Sequence, residues 1–180
     1  DTGGAFDVTV APVLRVWGLE PGNWQQERPM PAQKDIAAAL ALVGWQGVNL
    51  EGNTVTLPTG AALDMAAIAK GMAADLACGW LRERGVRSAL IDMGGSVTLL
   101  GDHDGRDWVI GVADPLGGDP VASLTLSDTS IATAGAGERC VIIDGQPYGH
   151  IVDPRTGRPA QTGLLSVAVA RASAPEDEQL

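Results

Sequence analysis

Cysteine, histidine and the phenyl aromatics are all scarce, with two Cys, two His, one Phe and one Tyr in 180 residues. Cys78 and Cys140 are too few and too far apart for a zinc cluster or a disulfide framework, and they read as two buried free thiols. Positive charge is short as well: 12 Lys and Arg stand against 22 Asp and Glu, a net charge of -10. No basic stripe interrupts that balance, so the long-range field repels nucleic acid and anionic lipid and argues against a nucleic-acid role. No apolar run reaches the length of a membrane span, and no leader with a charged start and apolar centre is visible. The chain opens abruptly at Asp1-Thr2-Gly3-Gly4 and closes on Glu176-Asp177-Glu178-Gln179-Leu180, so both ends read as cut.

What the chain does contain is 45% hydrophobic residues, enough for one sizeable core, and residues 1–180 are expected to form a single domain. Thr9 is placed to cap a short helix with Pro12 in its first turn, Asp7 lying just before it and Val13, Leu14 and Trp17 on its apolar face. Pro21 to Gln33 reads as a loop, and Asp35 opens an Ala/Leu-rich helix ending near Gly44. Trp17, Trp24 and Trp45 are expected to pack together, with aromatic lining of a pocket as the alternative. Val48 to Leu57 predicts a hairpin about Glu51-Gly52-Asn53.

The spacing of Ile68, Met72, Leu76 and Trp80 predicts a helix from about Met65 to Arg84 with Asp64 as its N-cap and Gly85 as its stop. Ser88 to Asp92 reads as a buried strand. Strands are also predicted at Trp108 to Val112, Val121 to Leu126, Cys140 to Ile143 and Leu165 to Val169, with Asp144-Gly145 as a hairpin turn. The pattern is a mixed α+β domain, a mainly antiparallel sheet flanked by helices.

Four segments set small residues beside ionisable ones: Gly4-Ala5-Phe6-Asp7, Asp64 to Gly71, Asp92-Met93-Gly94-Gly95-Ser96 and His150 to Gly157. Small residues let a backbone approach a bulky ligand, and the ionisable groups supply phosphate charge, metal contacts or a base. Lys70, early in its helix, is placed to reach a phosphate or the edge of a bulky ligand; an exposed helix lysine is the commoner alternative. Asp64 reads as an N-cap before it reads as a ligand contact. Gly94-Gly95 permits close approach of a ligand or simply makes a bulge. Ser130 to Arg139 reads as a loop with hydroxyls, glycines and an arginine suited to gripping a phosphate, or as a solvated loop with an Arg-Glu pair. In Tyr148 to Gly157, Asp153 organises a Pro-containing turn and His150 is the best base candidate, a hydrogen-bonded structural histidine being the alternative. His103 reads as surface loop, and no serine sits in a nucleophile elbow.

In order and spacing these segments resemble the ApbE family of FAD:protein FMN transferases. The resemblance rests on Gly4-Ala5-Phe6-Asp7-Val8-Thr9-Val10-Ala11-Pro12, Leu63-Asp64 with Ala67-Ile68-Ala69-Lys70-Gly71, Gly94-Gly95, Ser130-Ile131-Ala132-Thr133 with Glu138-Arg139, and His150 through Pro159. It implies that FAD is split and its FMN half esterified through phosphate to a Ser or Thr hydroxyl of an acceptor flavoprotein, releasing AMP, with magnesium as cofactor. By family position it implies that Ala5, Phe6, Asp7, Asp64, Lys70 and Val152 contact FAD, that the carbonyl of Ala67 is a metal ligand, and that His150 is the base. It also implies a location facing the periplasm or envelope, with a cytoplasmic member as the alternative.

Three departures accompany the resemblance. The family's flavin-contacting segment before Ala-Phe-Asp and its Asp/Thr-bearing helix after the last strand have no counterpart here; Asp177 and Glu178 lie near where the latter's acidic patch begins but match no motif. Ser96 stands where Asn is common. The chain is therefore expected to be truncated at both ends relative to the family and to bind magnesium poorly by itself. An FAD pyrophosphatase yielding FMN and AMP, and a non-catalytic FAD-binding protein, are the competing readings.

Overall fold

In the computed structural model the described residues are 2–135, 137 and 139–172. A 3-10 turn at Val8–Val10 leads into α1 (Ala11–Trp17), followed by α2 (Gln33–Leu40) and a second 3-10 turn at Trp45–Gly47. Next come β1 (Asn49–Glu51), β2 (Thr54–Thr56), α3 (Ala66–Glu83), β3 (Ala89–Asp92), β4 (Ser96–Leu100), β5 (Trp108–Val112) and β6 (Ala122–Leu126). The order closes with β7 (Thr129–Gly135), β8 (Cys140–Ile143), β9 (Gln146–Gly149), β10 (Val152–Asp153), β11 (Arg158–Pro159) and β12 (Ser166–Ala172). These form two compact units, one of Asp1–Met65 with Gly135–Leu165 and one of Ala66–Ala134 with the segment from Ser166.

The first unit is built on α1 and α2. Val13 and Trp17 from α1, Leu19 after it, Ile36 and Ala39 from α2, and Val141 and Ile143 from β8 make one buried cluster. Gly18 ends α1 in the left-handed region (φ 68°) with its N–H donating to the Arg15 and Leu14 carbonyls, the geometry in which glycine carries no Cβ penalty. Its Cβ position is also taken, since the Arg28 side chain would lie 2.6 Å away. α2 starts at Gln33, two residues before the expected Asp35, and ends at Leu40 rather than near Gly44.

Residues 25–28, expected as loop, run beside β8. Gln25 N–H donates to the Cys140 carbonyl (2.7 Å), Ile142 N–H to Gln26 (2.9 Å) and Arg28 N–H to Ile142 (2.8 Å), and Glu27 bridges Ile142 in parallel. β8 and β9 form the hairpin expected at Asp144-Gly145, both residues with positive φ (51° and 74°), as a two-residue turn of that hand requires. The β1–β2 hairpin is likewise where the sequence puts it.

The second unit carries a four-stranded sheet in the order β12-β7-β4-β3 and a separate β5–β6 hairpin. β4 pairs antiparallel with both β3 and β7. α3 covers the expected span and stops at Gly85 (φ 77°). Ala74 and Cys78 are buried, while Met72, Leu76 (74% exposed) and Trp80 of the four-residue apolar spacing point outward. Small side chains let a helix lie close on a sheet, whereas bulky ones hold it away, so the four-residue apolar spacing marked the opposite side. The Arg84 guanidinium lies 3.8 Å over the Trp80 ring and shields it.

Other differences are local. β3 is half-buried, not fully buried, with alternate residues exposed. Ser130 to Gly135 is strand β7, its Ser130 opposite Thr98 and its Ile131 opposite Val97, so the loop expected over Ser130 to Arg139 is excluded for that stretch. Glu138 lies outside the described residues, as do Asp177 and Glu178. Gly94-Gly95 forms no bulge. Both glycines have positive φ (66° and 83°) and make the two-residue turn of the β3–β4 hairpin, closed by Met93 N–H to the Ser96 carbonyl at 2.8 Å. Both cysteines are buried and free, as expected.

Candidate active site

The cap of the first helical turn is Asp7, not Thr9. Asp7 is extended (φ -149°, ψ 124°), and its Oδ1 accepts the Thr9 N–H at 2.8 Å and the Thr9 hydroxyl at 2.6 Å. Thr9, almost fully buried, uses the same hydroxyl to accept the Gly44 N–H at 2.7 Å. The other carboxylate oxygen of Asp7 accepts the Trp45 N–H at 3.1 Å. Partial burial pushes the Asp7 carboxyl up, but the hydrogen bonds from Thr9 and Trp45 outweigh it and hold the group below its ordinary value. Asp7 is therefore an ionised clasp between two chain segments.

Two further segments of this unit reach the stretch that carries this clasp. Ala5 and Phe6 are exposed and turn back on Thr2, which accepts the Ala5 N–H on its carbonyl and the Phe6 N–H on its hydroxyl, each at 3.1 Å. Asp64 donates its N–H to the Val8 carbonyl at 2.7 Å, beside the Asp7 turn. It precedes α3 by two residues. The Asp153 turn approaches from a distant part of the sequence, and the Arg155 side chain would lie 3.6 Å from a Cβ at Gly4. Segments Gly4-Ala5-Phe6-Asp7, Asp64 and Asp153 to Gly157 are thus brought together.

Asp153 binds Arg155 through three contacts: Oδ1 accepts its N–H and Nε–H at 2.9 Å each, and Oδ2 accepts an Nη2 hydrogen at 2.7 Å. These bonds hold the Asp153 carboxyl down at about 2. Its carbonyl accepts the Gly157 N–H at 2.9 Å, and the Gly157 carbonyl in turn accepts the buried Trp17 Nε1–H at 2.8 Å. Glycine is favoured at 157 on two counts: φ is 66°, and a Cβ would come within 3.3 Å of the Ile36 side chain, which would have to give way slightly. The turn is thereby fastened to the core. The Arg155 contact was not singled out in the sequence; the Asp-Pro-Arg run within a turn is the signal that carries it.

Val152 pairs with Pro159, and its side chain packs partly on the core cluster. His150 follows β9 and is held at one carbonyl by two groups. Its backbone N–H donates to the Arg139 carbonyl at 2.8 Å, and its Nδ1 lies 3.2 Å from the same oxygen. A carbonyl only accepts, so Nδ1 carries the hydrogen in the neutral ring and the lone pair resides on Nε2. Trp24 meets the imidazole edge to face, with centroids 6.1 Å apart and planes at 67°. Trp17 stacks on Tyr148 (5.5 Å, 27°), whereas Trp45 is 60% exposed. The expected cluster of three tryptophans is therefore limited to Trp17 and the partly buried Trp24, both at the core.

In the second unit Ala67 and Lys70 lie in the first two turns of α3. The Lys70 ammonium donates to the Gly94 carbonyl, and Asp92 Oδ1 accepts the Gly94 N–H at 2.8 Å, so helix start and hairpin tip are fixed to each other. This ties two of the motif segments together and places Lys70 at the glycine turn instead of in open solvent. His103, as expected, is in an exposed turn, stacked on Trp108 at 4.6 Å.

Among the described residues no group of three or more His, Cys, Asp or Glu gathers where it could hold a metal ion. Magnesium takes six oxygens in near-octahedral geometry and favours carboxylates. The carbonyl of Ala67 supplies at most one, and the described residues do not by themselves fit a complete magnesium site.

The chain matches the ApbE family over residues 1–178. Among curated proteins it is 33% identical over 175 residues to an FAD:protein FMN transferase of Vibrio cholerae, covering 93% of this chain and 51% of that protein. It is 36% identical over 170 residues to one of Klebsiella pneumoniae, covering 92% of this chain and 51% of that protein. Among solved structures, the ApbE protein of Thermotoga maritima superposes with a TM-score of 0.83 at 35% identity over 94% of this chain and 55% of that one. The apo flavinyl transferase ApbE of Pseudomonas stutzeri gives 0.78 at 32% identity, over 94% and 53%. The chain spans about half the length of the relatives it matches. With its mixed α+β fold and a family match over nearly its whole length, this chain belongs to the ApbE family.

Proposed function

We propose that the protein takes part in the transfer of FMN from FAD to a Ser or Thr hydroxyl of an acceptor flavoprotein. The acceptor oxygen attacks the phosphorus on the FMN side of the FAD diphosphate, the bridging P–O bond breaks, AMP leaves, and the hydroxyl proton passes to His150 Nε2. The observation that carries this reading is the bond between His150 Nδ1 and the Arg139 carbonyl, which leaves the base nitrogen of a neutral imidazole unprotonated. Family membership supports the substrate, since the relatives bear the name FAD:protein FMN transferase.

Ala5, Phe6, Asp7, Asp64, Lys70 and Val152 are proposed as FAD contacts. The Asp7 clasp and the Lys70–Gly94 bond present two of them pre-organised. Magnesium belongs to the reading as a charge-neutralising cation, with Ala67 as one ligand and the others outside the described residues. The location proposed is facing the periplasm or envelope, with a cytoplasmic one as the alternative, and the chain acts as the core of a flavin transferase.

Mass spectrometry of a Ser/Thr acceptor protein after incubation with FAD and magnesium tests the proposal. An added FMN mass, lost in His150→Ala while FAD binding persists, is the expected result. Free FMN and AMP with no adduct would replace transfer by hydrolysis, and intact FAD in all samples would leave a binding protein.

A further inference from the structure

We infer that Trp45 is a stacking platform for a planar heteroaromatic ring of FAD, and that Asp7 serves the site chiefly by holding that platform. This rests on the reading of FAD as the ligand. Asp7 poses an electrostatic problem there: the protein carries a net charge of -10, the FAD diphosphate is anionic, and a carboxylate kept in its charged form repels it. Its hydrogen bonds resolve the problem. The two oxygens accept three hydrogens, all from the chain itself: the Thr9 N–H and hydroxyl on Oδ1 and the Trp45 N–H on Oδ2. A carboxylate has about four acceptor sites, so little of this one is left for a ligand. What the clasp does bring to the surface is aromatic: Phe6, the residue before Asp7, is 39% exposed and Trp45 is 60% exposed.

Exposure alone means little for a single apolar side chain. Trp45 differs in how firmly its backbone is fixed. The Gly44 N–H donates to the buried Thr9 hydroxyl (2.7 Å) and the Trp45 N–H to Asp7 (3.1 Å). Within the 3-10 turn the Gly47 N–H donates to the Gly44 carbonyl and the Val48 N–H to the Trp45 carbonyl, each at 3.0 Å. Pro58 backs the turn closely enough that its Cγ would stand 3.0 Å from a Cβ at Gly47. The outcome is a broad π face, open to solvent and carried on an ordered turn. A flat ring that stacks on it buries apolar area at a small further cost in ordering. FAD has such a ring at each end, the isoalloxazine and the adenine, with the diphosphate between them. Stacking either end on Trp45 sets the Asp7 carboxylate beside a neutral ring instead of the phosphates.

Isothermal titration of the protein with FAD, riboflavin and AMP tests the inference. Trp45→Leu should weaken FAD by about five- to a hundred-fold, the worth of one aromatic stack, and Trp45→Phe should recover most of it. A loss shared by riboflavin and not AMP assigns the isoalloxazine to Trp45, and a loss shared by AMP and not riboflavin assigns the adenine. Asp7→Asn should weaken FAD as well, and combined with Trp45→Leu it should add little, because both act through one platform. In the transfer assay Trp45→Leu should raise the KM for FAD by a like factor with kcat within about twofold, as loss of a contact made equally before and during the reaction does. Parent-like affinity of Trp45→Leu for all three ligands overturns the inference, and full additivity of the two substitutions overturns the part given to Asp7. Cross-relaxation between the Trp45 indole and the ring protons of bound FAD in the unmodified chain decides even if the leucine variant fails to fold, and its absence is equally fatal. Trp45-dependent FAD binding without flavin transfer would sink the transferase reading and spare this one. Flavin transfer with FAD held as tightly by Trp45→Leu as by the parent would do the reverse, and binding of none of the three ligands to the unmodified chain would remove both.

Discussion

The carboxylate of Asp7 accepts the backbone N–H of Trp45 at 3.1 Å while capping its own helical turn through Thr9. A single side chain thereby secures two segments, and its removal leaves the N–H groups of Thr9 and Trp45 without that acceptor. Asp7→Ala should cost about 1–2 kcal/mol, read from the urea midpoint. The pH dependence follows from the depressed native value. The contribution is complete above the unfolded carboxylate value of 3.8 and is lost as the pH falls through the lower native value. Asp7→Asn, which cannot titrate, should flatten the acid limb of the stability profile; an unaltered limb would assign it to other carboxylates.

Two glycines with similar backbone angles should respond very differently to alanine. At Gly94 (φ 66°) a Cβ would meet nothing within 4 Å, and the cost should be the left-handed backbone alone, about 1 kcal/mol. At Gly101 (φ 60°) the Cβ would fall 2.0 Å from the Arg87 carbonyl oxygen. Gly101→Ala should cost several kcal/mol or prevent folding. Equal urea midpoints for the two variants would show that the strand end at Gly101 relaxes freely.

Lys70 offers a charge at the glycine turn. If it holds a phosphate of FAD, Lys70→Met should weaken FAD by about ten- to a hundred-fold in isothermal titration, the worth of a charge-assisted hydrogen bond. Riboflavin, which has no phosphate, should bind equally to both proteins. Equal weakening of riboflavin would move the contact to the isoalloxazine.

Trp17 joins the core to the Asp153 turn through Nε1–H and the Gly157 carbonyl. Trp17→Phe should cost about 2–3 kcal/mol, from lost volume and a buried carbonyl left unpaired. Trp17→Leu should cost more, because stacking on Tyr148 is lost too. Thermal unfolding compares them, and a phenylalanine variant as stable as the parent would mean that water satisfies Gly157.

The elements legible in the sequence are those whose cause is local. Asp144-Gly145 and Gly52-Asn53 mark hairpins because those residues tolerate the turn, and Gly85 ends α3 for the same reason. What escaped depended on partners far along the chain. Thr129 to Gly135 is small and glycine-ended, and becomes a strand because β4 offers it a ladder. Residues 25–28 lie along β8 through main-chain bonds that no side-chain pattern records. The motif segments were readable as chemistry, but the assignment of the cap to Asp7 over Thr9 turned on a two-residue difference in where the turn begins. His150 was singled out as a base candidate from its place at a strand end; its Trp24 contact was not legible, since the two are separated by most of the chain.

The bond from Trp17 to Gly157 spans 140 positions. During synthesis, α1 and α2 leave the ribosome long before Val141, Ile143 and Tyr148 exist to cover them, so an apolar surface waits uncovered through the translation of everything in between. Such delayed closure predisposes a nascent polypeptide to chaperone capture and to slow, long-range assembly.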